Sequence, residues 1–186
     1  MRTMIKRLRA RGEGDEGFTL IELLVVLLII GILLAIAIPT YLSVTGGAKK
    51  AAAQSNLNTA LTASKAFYTN SQGNYEPGGS TTALYTELPK AGTSLQYVDS
   101  STSSTSASQI SVATPNPTTA ILAASDGTNC YFVADVEGST GDTSLGSNVS
   151  TAGTYWATVT GSTTPAGCAA GTPPTSGWST SPTTSG

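Results

Sequence analysis

The chain has 186 residues, of which 11% are charged, with a formal net charge of −2 and no histidine. That balance gives no electrostatic case for direct nucleic-acid binding. The missing histidine removes the commonest general base and the commonest transition-metal ligand. The even totals hide an asymmetry. Five of the nine basic residues (Arg2, Lys6, Arg7, Arg9, Arg11) lie in the first eleven positions, whereas beyond Gly17 four lysines face eight carboxylates, a formal charge of −4.

Residues 1–17 are basic, then acidic at Glu13, Asp15 and Glu16, and lack apolar periodicity. They read as a targeting leader. The run from Leu20 to Ile38 is apolar over 19 residues apart from Glu22. As a helix it would span about 28 Å, close to the ~30 Å hydrocarbon core of a bilayer. Soluble core helices rarely stay apolar on every face over such a length. The basic residues ahead of it predict a cytoplasmic N-terminus. Pro39 is expected to kink the helix. Helical character resumes from about Ala48 to Tyr68, where Leu57, Ala60, Leu61, Ser64, Phe67 and Tyr68 repeat at helical spacing. Gly46-Gly47 forms a weak joint between the two stretches. The reading is one long helix from Phe18 to about Asn70, with a transmembrane part over 18–46 and an amphipathic continuation over 47–70.

From Ser71 the texture changes to Ser, Thr, Gly and short apolar runs. Candidate strands are Leu95 to Val98, Ile110 to Ala113, Ala120 to Ala124, Cys130 to Val136 and Tyr155 to Val159. Turn signals separate them at Pro115-Asn116-Pro117, Asp126-Gly127 and Gly138 to Gly141. The expected class is α+β: a small antiparallel sheet with the amphipathic helix on one face. Residues 71–170 form this head, and 171–186 read as a low-complexity, flexible tail.

Little in the head points to catalysis. Serines and threonines are plentiful but lack an activating base, so no enzyme activity and no cofactor are assigned. Tyr155-Trp156 read as core. Asp126, Asp135, Glu137 and Asp142 are oxygen ligands of the kind calcium takes, but their spacing fits no EF-hand, and solvated turn carboxylates are the better reading. Asn148-Val149-Ser150 is a formal glycosylation sequon. Cys130 and Cys168 are too few for a closed Zn site. In a secreted domain such a pair reads as a disulfide rather than two free thiols, closing a loop whose chain-entropy contribution is about 4 kcal/mol. Glu22 is the exception. A carboxylate in a spanning helix costs roughly 2.5–3.5 kcal/mol at the bilayer centre and less near an end. It either rests at the headgroups or serves as counter-ion to a cation from a partner.

The stretch Gly17-Phe18-Thr19-Leu20-Ile21-Glu22-Leu23-Leu24 resembles the class III signal of type IV pilins and pseudopilins. The resemblance is strongest over residues 17 to about 41. It implies cleavage between Gly17 and Phe18 by a prepilin peptidase, followed by N-methylation of Phe18. Glu22 then stands at the family's fifth mature position, where its carboxylate neutralises the N-terminal ammonium of a neighbouring subunit during assembly. Pro39 matches a proline common at this depth, and Cys130 and Cys168 bound a C-terminal loop by analogy. The implied partners are the peptidase, an inner-membrane platform, an assembly ATPase, membrane lipid before assembly and further copies of the chain. The implied location is the cytoplasmic membrane, then an extracellular fibre or a periplasmic pseudopilus. The leader departs from the simplest pattern in having Asp15-Glu16 directly before the glycine.

Other readings compete. Ala35-Ile36-Ala37 has the form of a secretory cleavage site, and processing there would release a soluble protein starting at Ile38. An uncleaved single-pass protein is a third option. Within the pilin class, a major pilus subunit, a minor pilin and a type II secretion pseudopilin share these features.

Overall fold

The computed structural model describes residues 17–161 and 167–182. The leader, apart from Gly17, lies outside the described residues. The chain divides into two compact units, Met1–Val44 and Thr45–Gly186, and helix α1, Leu20–Asn70, contributes to both.

In the first unit every described residue is exposed. Pro39 lies inside the helix rather than at its end. It has no N–H to offer the Ala35 carbonyl. The following residue bonds locally, with Thr40 Oγ1 donating to the Ile36 carbonyl at 2.9 Å. Gly46 and Gly47, at the start of the second unit, remain helical.

The second unit contains the rest of α1, a short helix α2 (Ala83–Glu87) and five strands. The strands are β1 (Gln96–Val98), β2 (Gln109–Asn116), β3 (Thr119–Ser125), β4 (Cys130–Val136) and β5 (Gly153–Val159), and they lie side by side in chain order. The five strands read from the sequence are all present. The sheet is not purely antiparallel, however, because β1 runs parallel to β2. The cause lies in the connection 99–108, which is too long and too locally bonded for a tight hairpin. Asp99 gathers the N–H and hydroxyl groups of Ser101 and Thr102. The Ser104 hydroxyl donates to the carbonyls of Ser106 and Gln109. The chain is thereby carried round to re-enter the sheet in the same direction.

Both faces of the sheet are covered. On one face Ala53, Leu57, Ala60 and Leu61 of α1 pack against Val112, Leu122, Ala124, Tyr131 and Val133. The apolar stripe read from the sequence is the buried one, and full burial of a leucine side chain contributes about 1.5–3 kcal/mol. Its polar member, Ser64, is buried too and donates to the Ala60 carbonyl at 2.7 Å. On the opposite face Ile121, Ala123, Phe132 and Ala134 meet Leu145, Val149, Ala170 and Trp178. The central strands β3 and β4 are consequently buried along their whole length.

That second cover corrects the expected flexible tail over 171–186. Trp178 and Ser179 hold the segment 171–182 to the sheet although most of its other residues are exposed, and 183–186 fall outside the described residues. Trp178 is buried and meets Phe132 edge-on, and its indole N–H donates to the Pro174 carbonyl at 2.8 Å. Ser179 exchanges both backbone hydrogen bonds with Trp156 on β5. Low complexity misled here because a single large apolar residue, held at the right place, anchors a stretch of small polar ones.

Candidate functional site

The candidate site is the start of α1. Gly17 and Phe18 precede the helix and are exposed, Phe18 by 82%. Any enzyme acting on the Gly17-Phe18 bond thus meets accessible backbone outside the helix. Thr19 is the residue before the helix, and Glu22 lies in its first turn. The Glu22 Oε2 atom accepts from both the Thr19 N–H and the Thr19 hydroxyl, each at 2.8 Å. The Glu22 N–H in turn donates to Thr19 Oγ1 at 3.3 Å. This reciprocal arrangement is a capping box, which satisfies N–H groups that a helix start leaves without partners. It is a role of Glu22 that reading it as a counter-ion passed over. The signal was present, since Thr19-Leu20-Ile21-Glu22 has the S/T-x-x-E form. The carboxylate is held at the positive end of the helix dipole, bonded to Thr19, the residue next to Phe18. Its Oε1 atom makes no bond within the described residues.

Beyond Glu22 the helix is long and apolar enough to cross a membrane. Its large side chains, from Leu20 to Val44, are all exposed, with Ile21 at 69% and Leu27 at 68%. Such a face needs lipid or other helices around it.

The other residues singled out in the sequence lie in the head. Cys130 and Cys168 are joined in a disulfide with Cα atoms 5.3 Å apart, tying the start of β4 to the tail. The four carboxylates weighed as calcium ligands are each bonded to the protein instead. Asp126 accepts from the N–H groups of Thr128 and Asn129 and from the Tyr131 hydroxyl. Asp142 accepts from Asn116 and Ser144. Asp135 is 1% exposed and pairs with Lys65 of α1 at 2.6 Å, while Glu137 lies 3.5 Å from the same ammonium. Asp135 also accepts from the Tyr75 hydroxyl at 2.5 Å and from the Thr154 hydroxyl at 3.2 Å. Among the described residues no three His, Cys, Asp or Glu side chains are grouped as a metal ion requires. Tyr155 and Trp156 are core residues, on opposite faces of the sheet, and Asn148 is exposed. The Lys65–Asp135–Tyr75 cluster was not anticipated, because its members are distant in sequence and only the fold joins them.

Comparison with known proteins bears on the same N-terminal stretch. A family profile described as "Prokaryotic N-terminal methylation motif" matches residues 14–38. The type IV major pilin protein PilA of Myxococcus xanthus (strain DK1622) is 48% identical over 54 residues, which cover 29% of this chain. That match spans about a quarter of the relative's own length, 24%. No solved structure matches the chain. The N-terminal stretch therefore carries a prokaryotic N-terminal methylation motif and is similar to that of a type IV major pilin, and a long apolar helix with an α+β head is a pilin-like form.

Proposed function

We propose that the chain is a structural subunit of a type IV pilus, processed by a prepilin peptidase and polymerised through its N-terminal helix. The observation that carries this reading is a helix whose apolar first part, Leu20 to Val44, is exposed and starts one residue after an accessible Gly17-Phe18 junction, with Glu22 at its first turn. The precursor sits in the cytoplasmic membrane with its leader inside and its head outside. Cleavage after Gly17 creates a new ammonium at Phe18, which the peptidase methylates. An assembly ATPase and an inner-membrane platform draw the subunit out of the bilayer. Apolar helices then pack on one another in place of lipid, so the net gain per subunit is modest. A spare oxygen on Glu22 suits an incoming ammonium, because a charge in apolar surroundings is strongly destabilising unless paired. No catalytic role is assigned to the head.

Intact mass and N-terminal sequencing of the mature protein test the processing step. The expected first residue is methylated Phe18. A chain beginning at Ile38 would mean ordinary secretory cleavage, and one beginning at Met1 no cleavage. Mass spectrometry of sheared surface fibres tests the rest: this chain should be their main component, and its absence from them would favour a pseudopilus or a minor subunit.

A further inference from the structure

We propose that the disulfide and the tail that covers it form a redox-sensitive clasp: a thiol reductant reaches Cys130–Cys168 only when the tail lifts off the sheet, with the rest of the head still folded. The bond uses both cysteines of the chain, and it is closed to solvent. Cys130 is 0% and Cys168 3% exposed. Reduction by exchange needs a thiolate to approach one of the two sulfurs, so the closed form offers it no entry.

Trp178 belongs to the same buried cluster as Cys130, Cys168 and Ala170. Its ring meets Phe132, which stands two residues along β4 from Cys130 and hence on the same face of the sheet. The base of the tail is firmly held. The Ala170 N–H donates to the buried Ser111 hydroxyl, and the Gly171 N–H to the Ser100 carbonyl, each at 2.9 Å. Beyond Gly171 the attachment is thin. Most of 172–182 is exposed and Trp178 is its buried residue. The Trp178 indole N–H bonds Pro174, within the tail itself. To β5 the tail gives the two backbone hydrogen bonds between Ser179 and Trp156, at 2.7 and 2.9 Å. Segments with few buried contacts open at lower cost than the core. The strands β3 and β4 are buried along their whole length, so the tail opens first, about a hinge just past Gly171.

With the tail lifted, a dithiol such as dithiothreitol completes the step. Its thiolate bonds one cysteine sulfur, and the other cysteine leaves as a thiolate and takes a proton. The reagent's second thiol then closes the reagent's own ring and releases the first cysteine. The protein disulfide is thereby reduced to two thiols as the dithiol is oxidised to a cyclic disulfide. Each half of the device guards the other: the tail shields the bond, and the bond tethers the tail. The inference is independent of whether the chain polymerises.

The rate of reduction of the full-length protein in detergent micelles tests it. Samples in dithiothreitol are quenched with iodoacetamide at intervals, and intact mass counts the alkylated cysteines. Trp178→Ala removes the cover and should speed reduction about 100-fold. Ser179→Pro withdraws the N–H that bonds the Trp156 carbonyl and should speed it about tenfold. Tyr75→Phe lies in the cluster that faces α1. It weakens the head but not the tail, and should leave the rate within about twofold of wild type. Urea below the unfolding transition should change the wild-type rate little, because lifting the tail exposes far less surface than unfolding does. If Trp178→Ala fails to fold, Ser179→Pro, Tyr75→Phe and the urea series decide. An unchanged rate in Ser179→Pro would mean that the tail is no gate. A steep rise with urea, together with faster reduction of Tyr75→Phe, would mean that reduction runs through unfolding of the whole head. Either result overturns the proposal.

Discussion

Two side chains show how much a single polar atom decides in this molecule. Glu22 has two available roles, as the third-position partner of a capping box and as a counter-ion to a Phe18 ammonium. A pair of substitutions separates them. Glu22→Gln keeps a side chain that completes a capping box but removes the charge, whereas Glu22→Ala removes both. If charge neutralisation governs assembly, both variants insert and are cleaved yet form no fibres under electron microscopy. Normal fibres from Glu22→Gln would assign the role to the cap instead. In the head, Tyr75 is fully buried and donates to the nearly buried Asp135. Burial, then Asp135, pushes its phenol well above the usual tyrosine range, so it stays a neutral donor. Tyr75→Phe leaves the shape and withdraws that donor, at a cost of about 1–3 kcal/mol. Denaturant unfolding of the purified protein measures this, and a variant as stable as wild type would mean that Lys65 and Thr154 satisfy the carboxylate unaided.

At the level of elements, the helix and strands were legible because their signals are local. The stripe from Leu57 to Ser64 has helical period, and each strand is an apolar run bounded by turn residues. The parallel placement of β1 was not legible, since it depends on side-chain hydrogen bonds from Asp99 and Ser104 that spacing does not reveal. The role of the tail was half legible. Ala120 to Ala124 and Cys130 to Val136 read as nearly continuous apolar runs, which signals burial on both faces. A helix covers only one, so something else had to cover the other. Of the N-terminal site, the junction, Glu22 and the apolar run were visible in the sequence, and the capping box was visible but overlooked. The tail can be tested as an element. Trp178→Ala removes its anchor against Phe132 and should destabilise the head by about 3 kcal/mol. Cys168→Ser removes its tether and should cost about 4 kcal/mol on the chain-entropy estimate. Thermal unfolding of each variant checks these values, and an unchanged midpoint for Trp178→Ala would show that the tail adds nothing to stability.

Across the whole molecule, the charged groups of the head set the pH range in which it is stable. Asp99 accepts from the Ser101 and Thr102 hydroxyl and N–H groups and is held down at about 2. Burial would raise Asp126 and Asp142, but hydrogen bonds from Asn129 and Tyr131 in one case and Ser144 in the other outweigh it and leave both low. Carboxyls depressed in this way stabilise fully above the unfolded value of about 3.9 and lose that contribution as pH falls through their folded values. Burial alone would lower Lys65, but Asp135 and Glu137 hold it above the usual lysine range. Burial, then Asp126, pushes Tyr131 up to about 12. Groups raised in this way stabilise fully below their unfolded values of about 10 and lose that contribution as pH rises through the folded ones. The chain has no histidine, the side chain that ordinarily titrates in between. The melting temperature, followed by the fluorescence of Trp156 and Trp178, should be flat from about pH 5 to 9 and fall on both sides. A rise above pH 10 would contradict the assignment of Lys65 and Tyr131. The disulfide has one more consequence at this scale. Cys130 and Cys168 enclose β4, the loop after it and β5 in a covalent ring. A protease that nicks the chain once inside that ring opens a circle and releases no fragment, so the molecule stays in one piece until a reductant reaches the bond.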